Sequence, residues 1–268
     1  MAPIPQQHIV RTLAEYIETV RMPTLKLGLA GAPVTPWYLG QGDANGTLMP
    51  GLYRSKVNVD LEREMLREFR MQVAEFIKPK GTDVRDWLLL GHQNGLPSRI
   101  LEWQANSLAA LFLAVEGADA AKHGRVWIFN PWAYNDLAAN LAYVPMIDED
   151  YIDNYVVKLS PDPTAASTPK AELPMAFRPY RTSRVYNTQN IFFTVHGKLR
   201  EPLDAIRFTA KKAMPFLTYV LIDGTRKTAI LRELYNAGIT RATLFPGAGA
   251  IAKTVAYRYS KDFVDAES

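Results

Sequence analysis

The sequence predicts one large α+β domain in which helices pack on a mixed or antiparallel sheet. Helical patterns gather in the first half of the chain and strand-like segments in the second, without strict alternation of the two. The 268 residues suffice to bury a full core, since domains commonly contain roughly 100–200 residues. We divide the chain into residues 1–35, an N-terminal helix and linker, residues 36–260, the main domain, and residues 261–268, a tail.

Apolar periodicity and turn residues place the individual elements. Apolar residues at helical spacing predict helices over residues 10–21, 61–77, 84–90, 107–115, 225–236 and 248–259. Asp60 is the expected N-cap of the second helix. Segments rich in β-branched and aromatic residues predict strands over residues 37–39, 125–129, 176–178, 191–195 and 216–222. Residues 160–174 contain four prolines and predict a surface loop that is dispensable for folding.

The periodic segments also predict which side chains are buried. Eight apolar residues from the central helices and strands are expected to form one core: Ile100, Leu101, Leu108, Leu111, Phe112, Val126, Ile128 and Phe192.

Composition excludes several classes of site. There are no cysteines, which rules out disulfides, thiolate metal sites and a cysteine nucleophile. The four histidines are scattered without metal-ligand spacing, so no metal is expected. The net charge is +4, and the densest basic run is Lys211-Lys212, which does not indicate nucleic acid binding. The chain has no apolar run long enough to span a membrane and no secretory leader pattern, so we expect a cytoplasmic protein.

Several short motifs follow one another in a fixed order. Trp37-Tyr38-Leu39-Gly40-Gln41 resembles W-[FY]-R-G-Q, and Leu48 to Arg54 resembles L-x-P-S-L-x-R. The most distinctive block, Gly95-Leu96-Pro97-Ser98-Arg99-Ile100-Leu101-Glu102-Trp103, resembles G-L-P-T-R-L-L-D-W. Later matches occur at residues 106–114, 124–128, 184–194 and 231–246. Together these motifs resemble the FRG domain family, which is named for a Phe/Tyr-Arg-Gly motif.

The sequence departs from the family pattern at polar positions. The arginine of the naming motif falls on Leu39. A histidine two positions before the G-L-P block falls on Gln93, with His92 one place away. The aspartate before the tryptophan is Glu102.

The motif order is also similar to that of ADP-ribosyltransferase-like folds. These place an arginine or histidine on one strand, a second polar motif on a strand before a helix, and a late glutamate or glutamine. The similarity implies NAD as a ligand, with Glu102 and Gln189 in catalytic roles. It implies that the cofactor-binding side chains are Tyr38, Gln41, Arg54, Arg99 and Trp103. We expect Gln41, Arg54, Arg99, Glu102 and Gln189 to approach one cleft, with Tyr38 or Trp103 as a wall.

Each candidate also has a structural interpretation. Tyr38 and Trp103 are more often core aromatics than stacking platforms. Arg99 pairs with Glu102 if that segment is helical, and Gln189 can satisfy a loop carbonyl. Three functions stay open: a nucleotide-handling enzyme, a binding module without chemistry, and an interaction protein such as a phage or mobile-element factor that acts on a host complex.

Overall fold

The computed structural model describes residues 9–26, 35–77, 83–117, 119–156, 159, 171–180, 190–208 and 215–264, without the side chains of residues 22–26. Within this part of the chain, seven strands form one sheet in the order β1-β7-β4-β2-β3-β6-β5. β1 pairs in parallel with β7, and every other pairing is antiparallel. The expected α+β class with a mixed sheet is therefore confirmed.

The elements have the following bounds. The strands are β1 (Ile9–Val10), β2 (Trp37–Gln41), β3 (Ile100–Gln104), β4 (Gly124–Phe129), β5 (Met175–Phe177), β6 (Ile191–Val195) and β7 (Leu217–Ile222). The helices are α1 (Leu13–Lys26), α2 (Gly51–Arg54), α3 (Glu62–Val73), α4 (Val84–Gln93), α5 (Ser107–Val115), α6 (Pro131–Ala139), α7 (Asp150–Val156), α8 (Lys227–Asn236), α9 (Arg241–Leu244), α10 (Ala248–Arg258) and α11 (Lys261–Val264). Short 3₁₀ turns cover Val59–Leu61, Leu203–Ala205 and Gly224–Arg226.

Helix α3 differs from its prediction at both ends. Asp60 is not an N-cap, because it lies inside a 3₁₀ turn and its own amide donates to the Asn58 side chain. α3 then begins at Glu62 and ends at Val73 instead of residue 77. α4 begins as expected after Asp83, which accepts from the Arg85 amide at 2.8 Å, but it continues to Gln93. This extension places His92 in the last helical turn.

The expectation of one continuous core is wrong. Side chains alternate across a strand, so neighbouring residues of β3 and β6 belong to opposite faces. Leu111, Phe112, Val126 and Ile128 pack with α1 and α8 on one face, and Leu108 packs half-buried against them. Ile100 packs on the same face with α3, α4 and α7 in a second cluster. Leu101 and Phe192 lie on the other face, in an aromatic-rich third cluster.

Both ends of the described chain contribute to the same sheet and core. β1 extends the sheet beside β7, and Phe263 of α11 packs against the first cluster. Most of the predicted loop, residues 160–170, lies outside the described residues, as does Lys211-Lys212. Within the last part of that loop, the Ala171 amide donates to the Asn154 carbonyl at 3.3 Å. No helix in the described part of the chain is long and apolar enough to cross a membrane.

Candidate functional site

A cleft of about 600 Å³ opens where β2 and β3 separate. These neighbouring strands have one registered pair, Tyr38 with Gln104, at one end of their contact. Beyond this pair β2 continues beside β4, and β3 continues beside β6. The lining comes from β2, from the turn and helix α2 that follow it, and from the segment between α4 and β3. Strand edges that face a cleft offer backbone N–H and C=O groups to a ligand.

Leu39, Gln41 and Arg54 line the β2 side of the cleft. The Gln41 amide is already engaged: its nitrogen donates to the Thr47 carbonyl at 3.1 Å, and its oxygen accepts from the Trp127 indole N–H at 2.8 Å. Gln41 therefore holds the turn after β2 against β4. Within the described part of the chain, no hydrogen bond or ion pair involves the exposed Arg54 side chain, which leaves this cation available to an anionic ligand.

Three polar side chains form a contiguous set on the β3 side. Nδ1 of His92 lies 2.8 Å from Oγ of Ser98. On the opposite side of the ring, Nε2 of His92 lies 3.7 Å from a carboxylate oxygen of Glu102. All three residues line the cleft, and His92 and Glu102 are partly exposed. The sequence comparison placed the histidine of the motif at Gln93, but the longer helix α4 brings His92 to the cleft instead.

Arg99 does not line the cleft but lies beneath it in a buried ion pair. Its side chain is 1% exposed, and it binds the carboxylate of Glu62, which is 2% exposed, through two guanidinium nitrogens. Burial alone lowers the pKa of Arg99, but the bonds to Glu62 raise it above its usual value. The pairing of Arg99 with Glu102 considered from the sequence is wrong, because this segment is a strand, in which residues three apart point to opposite faces.

The Arg99–Glu62 pair belongs to a larger buried group. The guanidinium also donates to the His196 carbonyl at 3.4 Å. The Tyr53 ring packs edge-on against the His196 imidazole, with 5.9 Å between the ring centroids. Burial, together with the positive charge of Arg99, lowers the pKa of His196 to about 4. Burial raises the pKa of Tyr53. This group connects α2 and α3 with the start of β3 and the end of β6.

The two candidate aromatic residues lie in packed interior positions. Tyr38 is 7% exposed and packs in the first cluster beneath α5. Trp103 is fully buried, donates to the Thr194 hydroxyl at 3.1 Å and stacks on Phe129 at 4.6 Å. Neither is among the lining residues, because each side chain points from its strand into a hydrophobic cluster. Gln189 lies outside the described residues.

The comparison with protein families matches the region that forms the cleft. Residues 35–123 match the family model described as FRG domain. This match covers 89 of the 268 residues. Every residue that lines the cleft falls between positions 39 and 102, so the cleft is built entirely within the matched span. No curated protein matches the sequence, and no solved structure matches the fold.

The described residues include no group of three histidine and acidic side chains arranged to hold a metal ion. The cleft lining offers one cation, one imidazole, two carboxylates (Asp43 and Glu102) and two hydroxyls (Thr47 and Ser98) around a partly apolar floor. An apolar cleft with a few convergent polar groups is the usual form of a small-molecule site.

Proposed function

We propose that the cleft, which lies within the span that is similar to the FRG domain family, binds a nucleotide of the NAD class. The observation that carries the proposal is the single-pair contact of β2 with β3, which leaves an open cleft with Arg54 on one side and Glu102 on the other. An arginine makes charge-assisted bonds to phosphate oxygens. A carboxylate accepts hydrogen bonds from the hydroxyls of a ribose. A dinucleotide carries both groups at a spacing that can cross such a cleft.

The order of motifs supports the same ligand class. The similarity to ADP-ribosyltransferase-like folds puts one motif on a first strand, one on a second strand before a helix, and one late in the chain. In this protein those motifs fall on β2, on β3 before α5, and immediately before β6. The three strands are consecutive neighbours in the sheet, and the first two motifs contribute Gln41 and Glu102 to the cleft lining. Gln189 of the third motif lies outside the described residues.

Leu39 sets the expected strength of binding. It lines the cleft where the family motif carries an arginine, and leucine cannot pair with a phosphate. A hydrogen bond to a charged group is worth about 1.5–3 kcal/mol. Its absence corresponds to a roughly ten- to hundredfold weaker complex. We therefore propose modest affinity for NAD and treat turnover as a separate question.

Calorimetric titration with NAD tests the proposal. Arg54→Gln should weaken binding roughly ten- to hundredfold, whereas Arg67→Gln, at an exposed position on α3 outside the cleft, should leave it unchanged. Equal affinity of wild type and Arg54→Gln would show that the cation is not used. No heat and no competition with a fluorescent NAD analogue would remove the proposal.

The Leu39→Arg variant gives an independent test in the opposite direction. Leu39 is only partly buried and lines the cleft, so a longer side chain can extend toward a ligand. The variant should bind NAD more tightly by the same factor. Circular dichroism melts are the control, since a variant that unfolds would show that residue 39 serves the core. Release of nicotinamide, followed in both proteins, separates an enzyme from a binding module.

A second function, that of an interaction protein, has its own supporting observation. Ile251, Val255 and Tyr259 follow one another at intervals of four residues along and just after α10, and they are 55%, 49% and 84% exposed. An exposed apolar stripe of this kind is typical of a protein-binding surface. A factor that acts on a host complex would use such a surface. Light scattering of the wild type and of Val255→Glu, with a candidate protein partner, tests whether this stripe mediates association.

A further inference from the structure

We infer that Ser98 is a nucleophile that His92 activates and Glu102 orients, and that the cleft cleaves carboxylic esters. The inference goes beyond nucleotide binding: the two share Glu102, but neither Ser98 nor His92 has a role in the proposed nucleotide site. An activated hydroxyl requires a base within hydrogen-bond reach and a third group that orients the base. His92 lies within hydrogen-bond reach of Ser98, at 2.8 Å, and the Glu102 carboxylate lies at ion-pair distance on the opposite side of the ring, at 3.7 Å.

The two sides of the His92 ring determine which protons move. A carboxylate oxygen attracts an N–H group and has no proton to donate, so Glu102, 3.7 Å from Nε2, favours the tautomer with the proton on that nitrogen. Nδ1 then carries a lone pair, and the Ser98 hydroxyl lies 2.8 Å away as the donor. The imidazole is therefore oriented to take the Ser98 proton while the carboxylate faces the positive charge that forms. This is the division of roles in serine hydrolases, with the two ring nitrogens exchanged.

The location of His92 supports the same step. It lies in the last turn of α4, where the helix dipole stabilises positive charge. The backbone on the other side of the hydroxyl is also fixed, because the Ser98 carbonyl accepts from the Leu52 amide at 3.0 Å. The donor and acceptor are thus held by two separate elements, α4 and the segment that joins it to β3.

The reaction proceeds in two balanced steps. Oγ of Ser98 attacks the ester carbonyl carbon as its proton passes to Nδ1 of His92. The bond from carbon to the alcohol oxygen breaks, and that oxygen takes the proton from His92 to leave as an alcohol. Water then attacks the acyl-serine, gives one proton to His92, and releases the acid as Oγ regains its proton. The net reaction consumes one ester and one water. Arg54 on the cleft lining favours esters that carry a second, anionic group.

Covalent labelling tests the nucleophile. The protein is treated with diisopropyl fluorophosphate, which phosphorylates activated serines, and peptides are sequenced by mass spectrometry. We expect one adduct, on Ser98, and none in Ser98→Ala. His92→Asn should slow labelling on the order of 10²- to 10⁴-fold, the usual contribution of a general base. Glu102→Gln should slow labelling and keep Ser98 as the site.

The control variant is Ser55→Ala, since the Ser55 hydroxyl bonds the Leu52 carbonyl at 3.0 Å instead of an imidazole. It should label like the wild type, and melts of all variants establish that they are folded. A folded wild type without an adduct on Ser98 would overturn the inference. Equal labelling rates in wild type and folded His92→Asn would overturn it as well. Hydrolysis of p-nitrophenyl acetate that is lost in Ser98→Ala would support it.

Discussion

Removing the acidic partner of Arg99 should destabilise this protein more than almost any other single charge change. Glu62 and Arg99 are 2% and 1% exposed, and two guanidinium nitrogens of Arg99 donate to the Glu62 carboxylate. Glu62→Met leaves the guanidinium buried without its counter-charge. Breaking a buried pair by removing one partner typically costs about 3–5 kcal/mol. The His196 carbonyl, at 3.4 Å from the guanidinium, is too weak an acceptor to replace a carboxylate.

The expected loss is a large share of the total stability, which for native proteins is roughly 5–15 kcal/mol. At about 2–4 °C per kcal/mol for domains of this size, the melting temperature should fall by roughly 6–20 °C. Urea denaturation gives the free energy of unfolding directly, and thermal melts followed by circular dichroism give the second value. The matched control is Glu64→Met, because Glu64 is exposed on the same helix two residues away.

A double variant separates the two contributions to this cost. Glu62→Met combined with Arg99→Met removes both charges, and apolar replacement of a complete buried pair is often neutral or stabilising. It should therefore recover most of the stability lost in Glu62→Met. If Glu62→Met is no less stable than Glu64→Met, the pair is not buried in solution. If the double variant is as unstable as the single one, the cost is lost packing and not an uncompensated charge.

Three further measurements test the fold around this pair. Phe112→Ala should lower the free energy of unfolding by about 3–5 kcal/mol in urea, because Phe112 is fully buried; a neutral result would contradict its burial. Gly40→Ala should lower the free energy of unfolding by about 3 kcal/mol or more, since an added Cβ would lie 1.9 Å from the Ala110 carbonyl oxygen of α5. Its control, Gly249→Ala, has open space around the added Cβ and should leave the free energy of unfolding unchanged. Acidification should destabilise the fold through His196, because its folded pKa of about 4 is below the unfolded value of 6.5. Its contribution to the free energy of unfolding is complete above pH 6.5 and decreases by about 2 kcal/mol between pH 6.5 and 5. His196→Gln should reduce this pH dependence.

Local sequence signals predicted the elements that have strong periodicity and clear ends. α5 and β6 have the bounds that the sequence predicted. The Asn106 side chain accepts from the Leu108 amide at 2.9 Å and marks the start of α5. β1 and β3 were not predicted. β1 has two residues and forms only because β7 is present beside it, and Ile100–Gln104 follows the motif block without a turn signal of its own.

The candidate site was predictable only in part, because its arrangement depends on long-range packing. The motifs indicated Gln41, Arg54 and Glu102, which do line one cleft. They did not indicate that Arg99 pairs with Glu62, which is 37 residues away, nor that His92 reaches Ser98. The second contact depends on the extension of α4 by three residues beyond its predicted end at residue 90. Gly91 lies inside the helix, and the positive-φ glycine that follows its end is Gly95.

The cleft forms at a seam between two packing clusters. β2 is held to α5 by the close approach at Gly40, and both belong to the first cluster. The start of β3 is held to α3 by Arg99 and Glu62, and Ile100 continues into the second cluster with α4. Each strand therefore follows its own helix layer, and the two remain paired only at Tyr38 and Gln104. Gly40 lines the cleft, whereas the Arg99–Glu62 pair does not, and each of them anchors one of the two strands that border it.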